Sequence, residues 1–306
     1  MQQGVVVVNP SKFKNLNRLK IDLGRIFHDY GWAEPIWLET TVEDPGIGQA
    51  REATRMGVDL VCALGGDGTQ RSVAQGLAGS GMPMGILAAG TGNLLARNLK
   101  LPYRRFADGL RVALSGRDHK IDLSLIELDV DGVGRWTPPQ IGLVMTGVGL
   151  DAEILAEADD ELKSRFGWLA YPAAGIRHIA HDRMHVTIAL DGREPDAELP
   201  VSSVLIGNCG LLAGGLRLMP NAEVDDGVLD TAVLRPKGLL GWGPLVAQVA
   251  TGARRETLTI GRLRSSSIEV RSARPVMIEV DGDVLQRAYA VRVTVDPLAA
   301  TVRVPR

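Results

Sequence analysis

Over roughly the first 120 residues, short apolar runs alternate with stretches whose apolar positions recur at helical spacing. The runs at 5–8, 36–38, 58–64 and 84–87 read as strands, and 16–30, 45–56, 70–78 and 94–99 read as helices. Such alternation predicts a parallel sheet covered by helices on both faces, a doubly wound arrangement. Pro45, just inside its helical stretch, suits a first-turn position. From about residue 121 the pattern changes to period-two alternation at 186–190, 228–234, 267–271 and 276–280, separated by Asp-Gly turns. That half predicts a mainly antiparallel β-sandwich, interrupted by helical character at 152–179 and 239–254. The expected fold class is α/β plus β.

Composition permits this two-part reading, since 306 residues with 45% hydrophobic content can bury two cores. A formal charge of −2 excludes a globally basic nucleic-acid binder. Cys62 and Cys209 have no metal-ligand spacing and no disulfide framework, which suits a reducing cytoplasm. His178 and His181, in a helical stretch, read as packing residues, and no His pair has ligand spacing. No apolar stretch approaches the ~18–20 residues needed to span a bilayer, and the start of the chain lacks a basic region followed by an apolar core. A lipid-directed activity would therefore meet its substrate at the membrane surface, as a cytoplasmic, peripherally associated protein.

The chemistry concentrates in two turns. Gly65-Gly66-Asp67-Gly68-Thr69 follows the apolar run 58–64 and precedes a helical stretch. A strand, a Gly-rich turn and a helix start together make a nest of backbone N–H groups suited to phosphate oxygens. Asp67 inside that nest would repel a bare polyphosphate, so it points to an intervening divalent cation or to proton handling. Gly90-Thr91-Gly92-Asn93 repeats the arrangement after the run 84–87. Either turn alone is ordinary α/β punctuation, but the pair faces one crevice and argues for phosphoryl transfer.

In these residues the chain resembles the diacylglycerol kinase catalytic-domain family, which includes bacterial lipid kinases and sphingosine kinases. The resemblance runs in family order from Asn9-Pro10 through GGDGT at 65–69, GTGN at 90–93, Asp122, Asn208 and Asp225-Asp226-Gly227 to Asp281-Gly282-Asp283. It implies an ATP-dependent lipid kinase using Mg2+, with diacylglycerol as the first acceptor and a sphingoid base or other glycerolipid as the second. It also implies a nucleotide-binding domain over 1–120 completed by 293–306, a lipid-substrate domain over 121–292, an active site in the cleft between them, and a homodimer. A kinase for a soluble acceptor such as NAD, which shares GGDG, and a lipid or nucleotide sensor without turnover are the rival readings.

Carried onto this sequence, the resemblance implies nucleotide contact by Asn9, by Thr40 or Thr41, and by Gly65, Gly66, Asp67, Gly68, Thr69, Gly90, Thr91, Gly92, Asn93 and Asp122. Locally, Asn9 also reads as a turn cap and either threonine as a helix cap. Asp281 is the first expectation for the base that deprotonates the acceptor hydroxyl and Asp283 the second, although Asp281-Gly282 alone reads as a hairpin turn; sphingosine kinases imply Asp67 instead. The family's structural magnesium would fall on Asp226 with the carbonyls of Glu223 and Val228. Three departures stand out: the Asn9 loop lacks the family's Gly, Arg71-Ser72 replaces Asn-Glu, and Leu94 stands where soluble bacterial diacylglycerol kinases carry Asp. Arg262, Arg264, Arg271 and Arg274 read either as a solvated sheet face or as a surface for anionic lipid.

Overall fold

The structure is a computed structural model, and it describes residues 1–149, 183–195, 197–212, 215–253 and 257–306. The chain divides into two compact units, residues 1–122 with 297–306, and residues 123–296.

The first unit runs β1 (Gly4–Val8), α1 (Leu16–Asp29), β2 (Ile36–Glu39), α2 (Ile47–Met56), β3 (Leu60–Gly65), α3 (Asp67–Leu77), β4 (Pro83–Ala88), α4 (Leu94–Asn98) and α5 (Phe106–Ser115), and then enters β5 (Arg117–Asp129). Its strands lie in the order β2-β1-β3-β4 and all pair in parallel. The end of β14 (Asp283–Val304) completes the sheet, with Thr301 and Val302 pairing in parallel with Pro83 and Met84. β1 is GVVVV and fully buried, as a central strand covered on both faces should be. One core packs α1 and α5 against it through Leu23, Phe27, Leu110 and Ala113, while α2 and α3 pair with each other.

Pro45 stands before α2 and outside its first turn. The Asp44 carboxylate accepts the N–H groups of Gly46 and Gly48 at 3.2 and 3.1 Å, and Gly46 has φ 140°, so helical geometry begins only at Ile47. Conversely, α3 starts three residues earlier than its apolar spacing suggests, because Gly66 serves as N-cap and Asp67 opens the first turn.

The second unit contains β6 (Gln140–Gly142), β7 (Met145–Gly149), β8 (Met184–Leu190), β9 (Leu199–Val201), β10 (Ser203–Gly207), β11 (Leu229–Leu234), α6 (Gly238–Thr251), β12 (Ile260–Ser265), β13 (Ser267–Val280) and most of β14. An antiparallel ladder runs β12-β11-β10-β7-β13. β13 pairs with β7 through residues 278–280 and with β8 through residues 268–272, so one strand serves both halves of the β structure. The runs at 267–271 and 276–280 are thus two parts of one strand, whose register breaks between Arg271 and Val276. Pro275 lies in that break, where no ladder N–H is needed. Between the two halves, Ile126, Val148, Val186, Val204, Ile206, Val233, Ile268, Val270 and Val291 form the core. The helical expectation at 152–179, with His178 and His181, lies outside the described residues. Among the described residues no helix is long and apolar enough to cross a membrane.

Candidate active site

In the order β2-β1-β3-β4 the direction of winding reverses between β1 and β3, and ligands of such sheets bind outside the carboxyl ends of the strands at that point. The sequence motifs stand at those ends. Asn9 follows β1 and donates its N–H to Leu64 O (3.1 Å), Thr40 follows β2 and donates to Val8 O (2.9 Å), and Ala89 follows β4 and donates to Gly65 O (2.8 Å). Backbone bonds therefore sew the four loops to their neighbours.

The two Gly-rich turns meet backbone to backbone. A Cβ built on Gly90 would lie 2.7 Å from the Cα of Gly66, so the turns approach as closely as they do only because Gly90 has no side chain. Asp67 locks them together: its Oδ1 accepts the N–H of Leu94 at 2.8 Å. At position 94, therefore, it is the backbone that meets Asp67. Thr69 is buried and fills the space beside Gly65, where a Cβ would come within 2.5 Å of its own Cβ.

Asn93 braces the second turn. It takes a left-handed conformation (φ 49°) and is only 2% exposed. Its Oδ1 accepts the N–H of Gly90 (3.1 Å), while Nδ2 donates to the carbonyls of Gly90 (2.7 Å) and Tyr103 (3.1 Å). Arg97, outside the Gly-Thr-Gly-Asn motif, also holds this turn. Its Nε donates to Gly92 O at 2.7 Å and its guanidinium stacks 4.0 Å from the ring centroid of Tyr103. A basic residue one helical turn past a Gly-rich turn is the local signal that points to it.

The remaining first-unit residues separate by what holds them. The Asn9 Oδ1 caps the turn at 10–12 through the N–H and hydroxyl of Ser11. The Thr41 hydroxyl accepts the N–H of Asp44 at 3.0 Å, a commitment to its own turn, whereas Thr40 is buried at the end of β2. Asp122 is buried at the end of the first unit's part of β5, and its Oδ1 accepts the N–H of Leu298 at 2.8 Å. Its carboxylate thus anchors the returning end of β14. Cys62 is fully buried in β3, and burial pushes its thiol up to about 12, which leaves it without nucleophilic character at neutral pH.

In the second unit, Asp281 and Gly282 have φ of 53° and 89° and turn β13 into β14, as an Asp-Gly hairpin should. The Asp281 carboxylate is also a clamp. Oδ1 accepts the N–H groups of Val144 (2.8 Å) and Met145 (2.9 Å), and Oδ2 accepts that of Leu143 (2.9 Å). Glu279, buried and absent from the motif, accepts the N–H of Gly282 at 2.7 Å. Asp283 is exposed on the same hairpin.

Two arginines of the basic stretch on β12 and β13, Arg264 and Arg271, pair with acids within the unit. Arg271 pairs with Asp129 and Glu269, each at 3.0 Å, and Arg262 donates to the carbonyls of Leu218 and Ala253. Burial raises the Asp129 carboxyl, but the N–H of Gly134 and the guanidinium of Arg271 outweigh it and hold the group below its usual range.

At the expected structural magnesium of residues 223–228, the Asp226 carboxylate is already engaged. A hard ion needs oxygen lone pairs turned toward it, yet Asp226 Oδ1 accepts the N–H of Val228 (3.1 Å) and Oδ2 takes the guanidinium of Arg264 (2.5 Å). Among the described residues no three His, Cys, Asp or Glu side chains converge into a metal-binding group.

Residues 3–126 match the diacylglycerol kinase catalytic domain, and residues 142–304 match the YegS C-terminal NAD kinase beta sandwich-like domain. A diacylglycerol kinase of Mycobacterium tuberculosis is 29% identical over 76% of this chain and 72% of its own length. A Pseudomonas aeruginosa protein named "Probable lipid kinase YegS-like" is 31% identical over 83% of this chain and 79% of its own. The fold is shared with a crystal structure of a diacylglycerol kinase from Bacillus anthracis (TM-score 0.71, 19% identity, 99% of this chain and 97% of that one). It is shared more distantly with yeast NADH kinase complexed with NADH (TM-score 0.57, 12% identity, 98% and 82%). With both halves of the chain matched in order, this protein belongs to the diacylglycerol kinase catalytic-domain family of lipid kinases.

Proposed function

We propose that the chain transfers the γ-phosphoryl group of magnesium-bound ATP to the free hydroxyl of diacylglycerol, giving phosphatidic acid. The observation that carries this reading is the backbone contact of Gly66 with Gly90, which brings two Gly-rich turns and the N-terminus of α3 to one place. Phosphoryl transfer asks for little covalent chemistry and much positioning and charge neutralisation, which is what such a cradle offers. The N–H groups at the start of α3, which have no intrahelical acceptor, would bind phosphate oxygens, and Asp67 would help hold the magnesium that offsets their charge. Thr40 and the amide nitrogen of Asn9 serve the nucleotide, because Thr41 and the Asn9 oxygen are engaged in their own turns. Asn93 and Arg97 hold the cradle, and Asp122 holds the returning end of β14, rather than the ligand.

Asp283 takes the proton of the acceptor hydroxyl. Asp281, the first expectation, has both oxygens engaged by three backbone N–H groups and serves to fix the hairpin that carries Asp283. The diacylglycerol kinases among the relatives favour that acceptor, and an acceptor of that class would be met at a membrane surface.

The test is a transfer assay with magnesium and γ-labelled ATP, offering vesicles with diacylglycerol, vesicles with a sphingoid base, and NAD in separate reactions. Label entering the organic phase with diacylglycerol is expected. Label entering only a sphingoid-base product, or only a new aqueous product, would replace the acceptor, and no transfer with any of them would leave a binding protein.

A further inference from the structure

We infer that Arg264 stands in this chain where a bound cation would otherwise hold the turn at Asp226, so that the second unit binds no divalent ion there. Asp226 and Gly227 (φ 71°) form the turn that leads into β11, and the N–H of Val228 closes it onto Asp226 Oδ1 at 3.1 Å. Further along, Asp230 on β11 lies directly opposite Arg264 on β12. From that register position the guanidinium reaches both acids, with Nη2 2.5 Å from Asp226 Oδ2 and Nε 3.4 Å from Asp230 Oδ2.

The charge arrangement favours a cation at this point. Asp230 is only 5% exposed, and a carboxylate so buried needs a paired charge. Asp226 and Glu223 are close enough to add to its negative field. An open hollow of ≈ 420 Å³ lies beside them, lined by Pro220, Asn221, Ala222, Glu223, Asp226 and Arg264. A hydrated divalent ion held by Asp226 and the Glu223 carbonyl would have to enter that hollow. The guanidinium already forms part of its wall, and its positive charge opposes a second cation at the same carboxylate.

The two solutions differ in a way that can be measured. A magnesium ion is lost when its concentration falls, and its contribution to stability falls with it as RT ln(1 + [L]/Kd). A guanidinium is permanently charged and covalently attached, so its contribution does not depend on any ion concentration.

The test uses the full chain without nucleotide, melted with chelator and with millimolar MgCl2 or CaCl2, as wild type, Asp226→Asn and Arg264→Gln. Wild type and Asp226→Asn are expected to respond to the ions equally, any common shift arising elsewhere on the molecule. In chelator, Arg264→Gln should melt several degrees below wild type, because two carboxylates lose their counter-charge. A saturable rise in wild type that Asp226→Asn lacks would overturn the inference, as would an Arg264→Gln protein as stable as wild type in chelator. If Arg264→Gln fails to fold, the wild-type and Asp226→Asn comparison decides alone: equal response upholds the inference and a response lost in Asp226→Asn overturns it.

Discussion

Replacing Gly90 with Ala should break the nucleotide cradle, and the same change at Gly66 should not, although both glycines take part in one contact. The added Cβ at position 90 would sit 2.7 Å from the Cα of Gly66 and 3.0 Å from the Oδ1 of Asn93. Carbon atoms pack at about 3.5–4.0 Å, so the overlap is roughly 1 Å against backbone that no rotamer change can move. Relief requires parting the turns by about that much. Two bonds cross between them, Ala89 N–H to Gly65 O and Leu94 N–H to Asp67 Oδ1, both at 2.8 Å. Stretching each by ~1 Å takes it out of hydrogen-bond range, at a combined cost of about 2–4 kcal/mol. In Gly66→Ala the new Cβ would lie 3.5 Å from the Gly90 Cα, an ordinary contact, and φ −85° suits any residue. Gly90→Ala should therefore melt roughly 5–10 °C below wild type. Its kcat/KM for ATP should fall about 100-fold, the effect of misplacing phosphate donors by ~1 Å. Gly66→Ala should melt with wild type. Thermal melts and γ-labelled transfer assays on the three proteins check this, and a Gly90→Ala enzyme with wild-type melting and turnover would refute the contact argument.

Asp67→Asn keeps an oxygen for the Leu94 N–H but loses the charge that faces magnesium, so turnover should drop at least ~100-fold, about 2.7 kcal/mol of transition-state stabilisation, with an unchanged melt. Near wild-type turnover at saturating magnesium would remove Asp67 from the mechanism. On the hairpin, Asp283→Asn should lower kcat and leave stability alone, whereas Asp281→Asn should lose about 1.5–3 kcal/mol of stability, because an amide has one oxygen for three N–H donors; denaturant midpoints beside initial rates separate the two, and the reverse pattern would return the base to Asp281. Asp129, whose carboxyl lies below its usual range, stabilises the fold fully above the unfolded carboxylate value of about 3.9 and loses that contribution as pH falls through its lower folded value. The stability gap between wild type and Asp129→Asn should accordingly close as the pH is taken from 5 toward 2, and a gap constant over that range would contradict the ion-pair account.

How far the sequence reached depended on how far each partner lies along the chain. The doubly wound half was legible because strand, Gly-rich turn and helix follow within a dozen residues, and the β half because period-two alternation is local. The early start of α3 was hidden by Asp67-Gly68, which reads as loop until Gly66 is seen to cap it. The single strand β13 read as two because Pro275 and a register break interrupt its alternation. Asp281 shows the limit most clearly: its turn is written in the dipeptide, but the N–H groups it clamps lie 136 to 138 residues away. Arg264 looked like one member of a basic stretch because Asp226 and Asp230 reach it across a strand pair. Asp122 is likewise matched with Leu298 only through the return of β14.

That return has a consequence for synthesis on the ribosome. The first unit is closed by residues 297–306, which pair with β4 and are tied to Asp122 through Leu298. Yet they are translated only after all of residues 123–296. At bacterial or eukaryotic rates of about 5–20 residues per second, that leaves roughly 10–35 s in which β4 has no neighbour on one side. An uncovered apolar strand edge is a template for pairing with another chain, so the nascent first unit passes through a period of exposure that the finished protein never shows. The intervening unit has its own core and can fold in that interval, and its completion would then deliver the closing strand already tethered.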